Sequence, residues 1–596
     1  MSWLYAVSMR DHQVRTNTPP AMADAIGVIS TPGLFVAVGG NPRTAFFHHD
    51  KDSSTGWVVV GLGISRSESD AHILTRSEWD RLLAGKEFEP ARLDGHFAVL
   101  RWTGNHLECF TDQLGLRALY HAEGSDGIHL STRIDWLARA TDHTDPDFEA
   151  LGSRWMMFNQ VSYASCVRGI ERIGPRGYAL FREGTLIRSG STLWSPDFEP
   201  DTPEHAEELL RGYLRCAASQ PEAPSLGLSG GVDSRLLLSL VSSMSLDRFG
   251  VHTFGAGDDP DVLIARRISS TLEVPSQYLH DPLPDVQTCL QGIGAFVSQT
   301  LLVEPVTSYT KLRYYPKLHD SGRFLIDGGF GEIARRQYLN RVVRLGPTAL
   351  LRRDVPNLYR LMRSPRADIF SRDATRHLEF GAQRSLQDAI QLMPAVEKIG
   401  VENFVDLLAL RTRIPNYGAP EQGRLDAEII NLMPLVQPSF LRAIFGIPPK
   451  VRSNAGLYCD MIRRANPLLA RFPLAKGGYI HRFGLSSNLS WLSLKLKSRV
   501  RRGFVDPEPD LLLGRIREFV FDLSRSSSVA SNPAYDSKKV IVAVEKYYGG
   551  NRSFRSVVDW WLTFELWRRS LSGSILGGGG CGRSEVLRPS HCSPVP

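Results

Sequence analysis

The sequence predicts an α/β protein with a β-rich first third, a middle of alternating strands and helices, and a helical remainder. Three observations carry this expectation. Over residues 1–200, short aliphatic or alternating runs recur between Gly, Asp and Asn. Strand-like and helix-like runs then take turns, the pattern of a parallel, doubly wound sheet. Beyond residue 345 long helical patterns dominate. At 596 residues the chain exceeds one ordinary core, so two or more domains are expected.

Taken in order, "TGWVVVGLGIS", "GHFAVLRW", "NHLECFTD", "GIHLSTR" and "GYALFREGTLIRSGS" read as strands. "LWSPDFEPDTPEH" (Leu193 to His205) clusters Pro and Asp without periodicity and reads as a linker, with Thr202 to Glu204 opening the next helix. "SLGLS" follows as a strand, "VDSRLLLSLVSSM" as a helix, "RFGVHTFGA" as a strand, "PDVLIARRISSTLE" as a helix and "GRFLIDGG" as a strand. The Trp-rich "SVVDWWLTFELWRRSL" is helical. The closing "SGSILGGGGCGRSEVLRPSHCSPVP" is Gly- and Pro-rich and reads as a disordered tail. No strand precedes its "GGGGCG" and no helix follows it, so it is no dinucleotide fingerprint.

Composition narrows the class. With 42% hydrophobic and 22% charged residues, the chain is that of a globular protein. No run approaches the length of a membrane-spanning helix, and "MSWLYAVSMRDHQ" lacks the basic leader and apolar core of a signal peptide. Seven scattered cysteines, with no CxxC and no metal-ligand spacing, fit a reducing cytoplasm. The net charge of +7 reads as a slightly basic surface. It is densest in "RRQYLNRVVRL" from Arg335 and "KLKSRVRRGF" from Lys495. In the second, Leu494, Leu496 and Val500 recur at near-helical spacing, as on a solvated amphipathic helix. Neither has the basic-and-aromatic interleaving of RNA recognition, so no nucleic-acid partner is expected.

The chemistry concentrates in "LGLSGGVDSRLLLSL", Leu226 to Leu240. A strand entering a helix through a Gly-rich turn aims backbone N–H groups and the positive end of the helix dipole at one point, which makes an anion site. Gly230 and Gly231 allow close approach, and Ser229 and Ser234 add hydroxyls. Asp233 would repel a phosphate unless a divalent metal lay between them, as Mg²⁺ does. The blander reading is a tight turn with Asp233 capping the helix. The run lacks the G-x-x-x-x-G-K-[ST] of a Walker loop.

"SGGVDS" resembles the pyrophosphate loop of the ATP pyrophosphatase superfamily, whose members split ATP between the α- and β-phosphates and adenylate an oxygen. "VHTFGAGDDPDVLIARRISSTLEVP", with Asp261 in its turn, resembles the second strand and helix of the asparagine synthetase family's synthase domain. "LMPLVQPSFLRAIFGIPP", "YCDMIRRANPLLARFPLAKGGY" and "WWLTFELWRR" are similar to that family's later helices. "LDGHFAVLRWTGNHLECFTDQLGLRALYHAEGSDGIHLST" (Leu93 to Thr132) resembles its amidotransferase domain, a glutaminase of the N-terminal-nucleophile fold. The resemblance implies an αββα sandwich over 1–200, a doubly wound, helix-rich ATP pyrophosphatase domain over 201–570, and a tail over 571–596. It implies ATP and Mg²⁺ as cofactors. Ser229, Gly230, Gly231, Asp233 and Ser234 would hold the nucleotide.

Two departures shape the expected function. Glutamine-using members carry a nucleophilic cysteine where this chain has Ser2, so ammonia production from glutamine is expected to be lost. The family's S-G-x-G-x-D-E loop reads here as "IDGGFGE", Ile326 to Glu332, with Gly331 at the Asp position. Metal binding then falls to Asp233 with Asp327 or Glu332, a choice the sequence leaves open. Glu332 and Lys476, in "FPLAKGGY", are the catalytic candidates by resemblance. An ammonium at Lys476 would stabilise departing pyrophosphate and the oxyanion of the acyl-adenylate reaction. Without a glutaminase, the amine comes from elsewhere. The expected reaction is ring closure, as in β-lactam synthetases and the macrolactam synthetases of lasso peptides. The substrate would be a precursor peptide or a small amino-acid derivative, with a leader-peptide-binding protein and a protease as partners. The alternatives are asparagine synthetase-like amidation with ammonia, and a fold retained for binding alone.

Overall fold

The computed structural model describes residues 2–10, 24–67, 70–85, 87–246, 248–484 and 503–574. The basic run from Lys495 lies mostly outside the described residues, and the tail beyond Ser574 lies wholly outside them.

The first 190 residues build two antiparallel sheets, of six and seven strands. Strand periodicity places their side chains. In Trp3–Met9, Leu4 and Ala6 face inward, and meet Val58, Val60, Ala98 and Leu100 of the other sheet in one buried cluster. Trp3, Tyr5 and Val7 face the opposite way and pack on Trp136 and Leu137 of helix Ile134–Ala140. The second sheet alternates likewise, with Trp57 and Val59 against Trp79 and Leu83 of helix Arg76–Ala84. Thr202 accepts the His205 N–H and starts helix Pro203–Ala218 where the sequence places it.

A five-stranded parallel sheet follows, in the order Ser276–Leu279, Gly250–Phe254, Ala223–Gly227, Arg323–Ile326, Asn431–Leu432. One face carries Leu226, Val251, Phe324 and Ile326 against Leu236, Leu237 and Leu240 of helix Asp233–Met244. Leu325 points to the other face, toward Ile293 and Phe296 of helix Val286–Thr300. Covering both faces is what a parallel sheet requires. The chain builds outward from Ala223–Gly227, then crosses back to lay Arg323–Ile326 on its other side. Strand order therefore reverses between these two, and ligands of such sheets bind at the carboxyl ends of strands beside that reversal.

Asn431–Leu432 is too short for sequence periodicity to reveal, and Ser276–Leu279, with only Leu279 buried, lacks the aliphatic run that marks Arg323–Ile326. The remainder is largely helical and closes with Arg555–Leu571. No described helix is long and apolar enough to cross a membrane. The five described cysteines are buried and free.

Candidate functional site

The Ser-Gly-Gly loop leaves strand Ala223–Gly227 at the reversal, and "DGGFGE" leaves the adjacent strand Arg323–Ile326. The two sequence motifs, about a hundred residues apart along the chain, therefore flank one crevice. A cavity of about 370 Å³ opens there, lined by Ser229, Gly231, Asp233, Ser234, Asp327, Gly328 and Gly329 among others. Gly230 has no room for a side chain, since a Cβ there would lie 2.6 Å from that of Ala475.

The loop's N–H groups are used differently from the sequence expectation. Ser229 N–H donates to Ser234 Oγ at 3.2 Å, Gly230 N–H to Asp261 Oδ1 at 2.8 Å, and Gly231 N–H to Ser229 Oγ at 3.1 Å. Asp261 comes from helix Pro260–Thr271, which Asp259 caps. The groups left to face an anion would be the two serine hydroxyls, 3.1 Å apart, and the first turn of helix Asp233–Met244, whose dipole favours negative charge.

Asp233 neither caps that helix nor stands free. Arg335 Nε and Nη2 hold its two oxygens at 2.7 and 3.0 Å, a bidentate pair. Burial pushes the Asp233 carboxyl up, and Arg335 only partly offsets it. The pair also accounts for Gly331: a Cβ at that position would sit 2.4 Å from Asp233 Oδ1, so the aspartate of the resembling loop has no space here. Glu332 is likewise engaged, accepting from Arg413 Nε at 3.2 Å. Arg413 is boxed by the rings of Phe330, Tyr338 and Tyr417. Asp327 accepts the Gly329 N–H at 2.8 Å, and burial raises its pKa.

Among the described residues no three His, Cys, Asp or Glu side chains gather as a metal cluster. Mg²⁺ asks for less, since one or two carboxylates and phosphate oxygens suffice. Of the three ligands expected from sequence, Asp327 is the one whose carboxylate no arginine holds.

Lys476 is the last residue of a short strand, Leu474–Lys476, paired in a hairpin with Tyr479–His481 rather than standing in a loop. Gly477 and Gly478 turn it with φ of 57° and 76°, the left-handed pair that a two-residue hairpin needs. The hairpin is tied to the first motif by Ala475 N–H donating to the Gly230 carbonyl at 3.0 Å. Lys476 and Arg335 both line a lobe of about 180 Å³ that shares Gly231 with the main cavity. Desolvation, with the Arg335 charge second, holds the Lys476 ammonium below the usual lysine range.

Several site residues escaped the sequence reading. Lys311 lines the main cavity and pairs with Asp506 at 2.9 Å. His252 lies in the cavity wall, with Ser225 on its Nδ1 at 2.9 Å. Burial drops its pKa to about 3, so it is neutral at physiological pH. Glu421 is pushed from 4.5 to about 8, by burial first and then by the Asp327 charge. Lys311 and Glu421 lie in no motif, and His252 stands in a strand run whose pattern says nothing of its role; the fold brings Lys311 and His252 to the crevice and Glu421 within reach of the Asp327 charge.

Ser2 is buried, at 1% exposure. Its Oγ bonds Thr44 Oγ1, and its carbonyl accepts from Arg117. The adjoining cavity is about 40 Å³, room for a water or two.

No protein-family model matches the chain, and no curated protein matches it. Among solved structures the chain is similar to the allosteric regulatory enzyme of purine biosynthesis, at 11% identity over 58% of this chain and 71% of that one, with a TM-score of 0.19. At that TM-score the likeness carries no argument for fold or activity.

Proposed function

We propose that the chain is an ATP-dependent carbon–nitrogen ligase that adenylates a carboxylate and couples it to an amine, releasing AMP and pyrophosphate. One observation carries the reading: "SGGVDS" and "DGGFGE" open side by side into a single cavity at the strand-order reversal, with Lys476 brought alongside by its hairpin. In the first step a carboxylate oxygen attacks the α-phosphorus and the bond to the β-phosphate breaks. In the second, the amine nitrogen attacks the acyl carbon, AMP departs with the bonding electrons, and the amine gives up a proton.

The residues divide this work. Ser229, Ser234 and the first turn of helix Asp233–Met244 would hold phosphate oxygens, and Phe254 and neutral His252 offer a wall suited to an uncharged base. A divalent cation, when bound, would neutralise phosphate charge, and Asp327, whose carboxylate no arginine pairs among the described residues, would hold it. Lys476 and Arg335 put two positive charges beside the loop, where pyrophosphate charge develops.

Ser2 stands where glutamine-using relatives by resemblance carry a nucleophilic cysteine, which supports an amine from outside a glutaminase site. We read the reaction as macrolactam closure of a lasso-type precursor peptide. Incubation with ATP, Mg²⁺ and such a peptide is expected to yield AMP, pyrophosphate and a product lighter by one water. Asp233→Ala is expected to lower kcat by about 10²-fold or more. ADP and phosphate as products would overturn the ligase reading, and amide formation from aspartate and ammonium alone would replace ring closure with amidation.

A further inference from the structure

The first basic run of the sequence is only partly used by the crevice. Residues 335–363 hold eight arginines and one acidic residue, Asp354. Arg335 pairs with Asp233, Arg336 with Asp406 and Arg363 with Glu379. Arg341, Arg344, Arg352, Arg353 and Arg360 are exposed, and among the described residues none has a carboxylate within ion-pair distance. Asp354 caps helix Val355–Met362 through Asn357 and also feels the Arg360 and Arg352 charges, while Arg353 donates to the Met393 carbonyl and Arg360 to Asn357 Oδ1. Between these arginines Leu345 and Leu351 are 66% and 50% exposed. They belong to Asn340–Leu345 and Pro347–Leu351, short helices that pack on Val355–Met362.

A chain of contacts links this surface to Glu332. Phe158, 59% exposed, donates its N–H to the Met362 carbonyl at 2.9 Å and stacks on Tyr338 at 5.5 Å. Tyr338 in turn lies under Arg413, the partner of Glu332. A segment lying over Phe158 would thus meet an arginine-rich face on the side of Met362.

We propose that Phe158 and the arginine face of residues 341–360 form an exosite for an acidic, aliphatic segment of the peptide substrate, away from the reacting carboxylate. Five exposed arginines with no carboxylate in ion-pair distance among the described residues call for carboxylates, and exposed leucines between them call for apolar side chains, which a phosphate backbone does not supply. A second copy of this chain, itself at +7, lacks the complementary charge. Assigning the segment to the substrate rests on the ligase reading, whereas the binding surface does not.

The test uses the full chain without ATP and a fluorescein-labelled peptide alternating glutamate and leucine, read by anisotropy. The peptide is expected to bind, and its counterpart with glutamine for glutamate to bind at least about tenfold more weakly. R341E/R344E should weaken binding by a similar factor and Phe158→Ser by several-fold. R341Q/R344Q, which adds no repulsion, should give a smaller loss at an unchanged thermal midpoint. Equal affinity for both peptides would overturn the exosite. So would undiminished binding by the arginine variants, or tighter binding of single-stranded DNA or phosphatidylserine vesicles through the same arginines. Because no nucleotide is present, loss of AMP formation leaves this result intact, and loss of peptide binding leaves the adenylation chemistry intact.

Discussion

At the scale of single residues, Glu421 carries the sharpest pH signature. Its carboxyl stays protonated in the folded chain up to about pH 8, whereas an ordinary one ionises near 4.5. Between those values the folded state binds the extra proton, so stability falls as pH rises through the window and levels off above it. The slope is at most about 1.4 kcal/mol per pH unit. Glu421→Gln is expected to flatten it, measured as urea midpoints across the window, and unchanged slopes would count against the shift. Arg335 shows why such residues were illegible beforehand. In sequence it opens a basic run, and its partner Asp233 lies 102 positions away. Arg413 and Glu332 are separated by 81. Side-chain type and spacing found the serines and glycines of the loop because they are neighbours in the chain. They do not reach partners that only the sheet brings together.

At the scale of elements, the segment after "DGGFGE" is held by a buried ionic triad. Arg336 and Arg452 each donate to Asp406 at 2.9 Å, and all three side chains are almost wholly excluded from water. Arg336 also donates to the Tyr338 carbonyl at 2.7 Å, and Arg452 to Asn403 at 2.7 Å. Helix Val396–Arg413 thereby anchors the stretch that presents Arg335 to Asp233. Asp406→Ala leaves two buried guanidiniums uncompensated and is expected to cost about 3–5 kcal/mol. Denaturant unfolding should show a lower midpoint at an unchanged m-value. Elements that bury one regular face were readable. Helices Asp233–Met244 and Pro260–Thr271 repeat leucine, isoleucine and valine at helical spacing. The two-residue strand Asn431–Leu432 has no period to read and exists because Leu325 and Ile326 lie beside it.

At the scale of the whole molecule, a buried polar network joins the antiparallel sheets to the parallel one. His96, from strand Asp94–Thr103, meets Asp426 at 3.0 Å, and Arg117 meets it at 3.3 Å. Gln422 and Asn431 each donate to the same carboxylate at 3.0 Å. Ser2 N–H donates to the Asp426 carbonyl at 3.2 Å. Burial pushes the Asp426 carboxyl up, but His96 and Arg117 outweigh it and leave it below the usual range. Asp426→Ala strands the Arg117 charge, and is expected to cost about 3–5 kcal/mol and to speed cleavage of the 191–202 connection in limited proteolysis. Arg117 and Asp426 drew no notice in the sequence, because neither belongs to a motif and their meeting depends on how the two halves dock.

The Arg336–Asp406–Arg452 triad also bears on how this sequence can drift. Three residues from three separated segments must change together, because any one change strands a charge while an apolar replacement of all three can be neutral. Single-step mutation therefore meets a barrier at each of these positions, and a lineage descending from this chain is expected to carry all three or none.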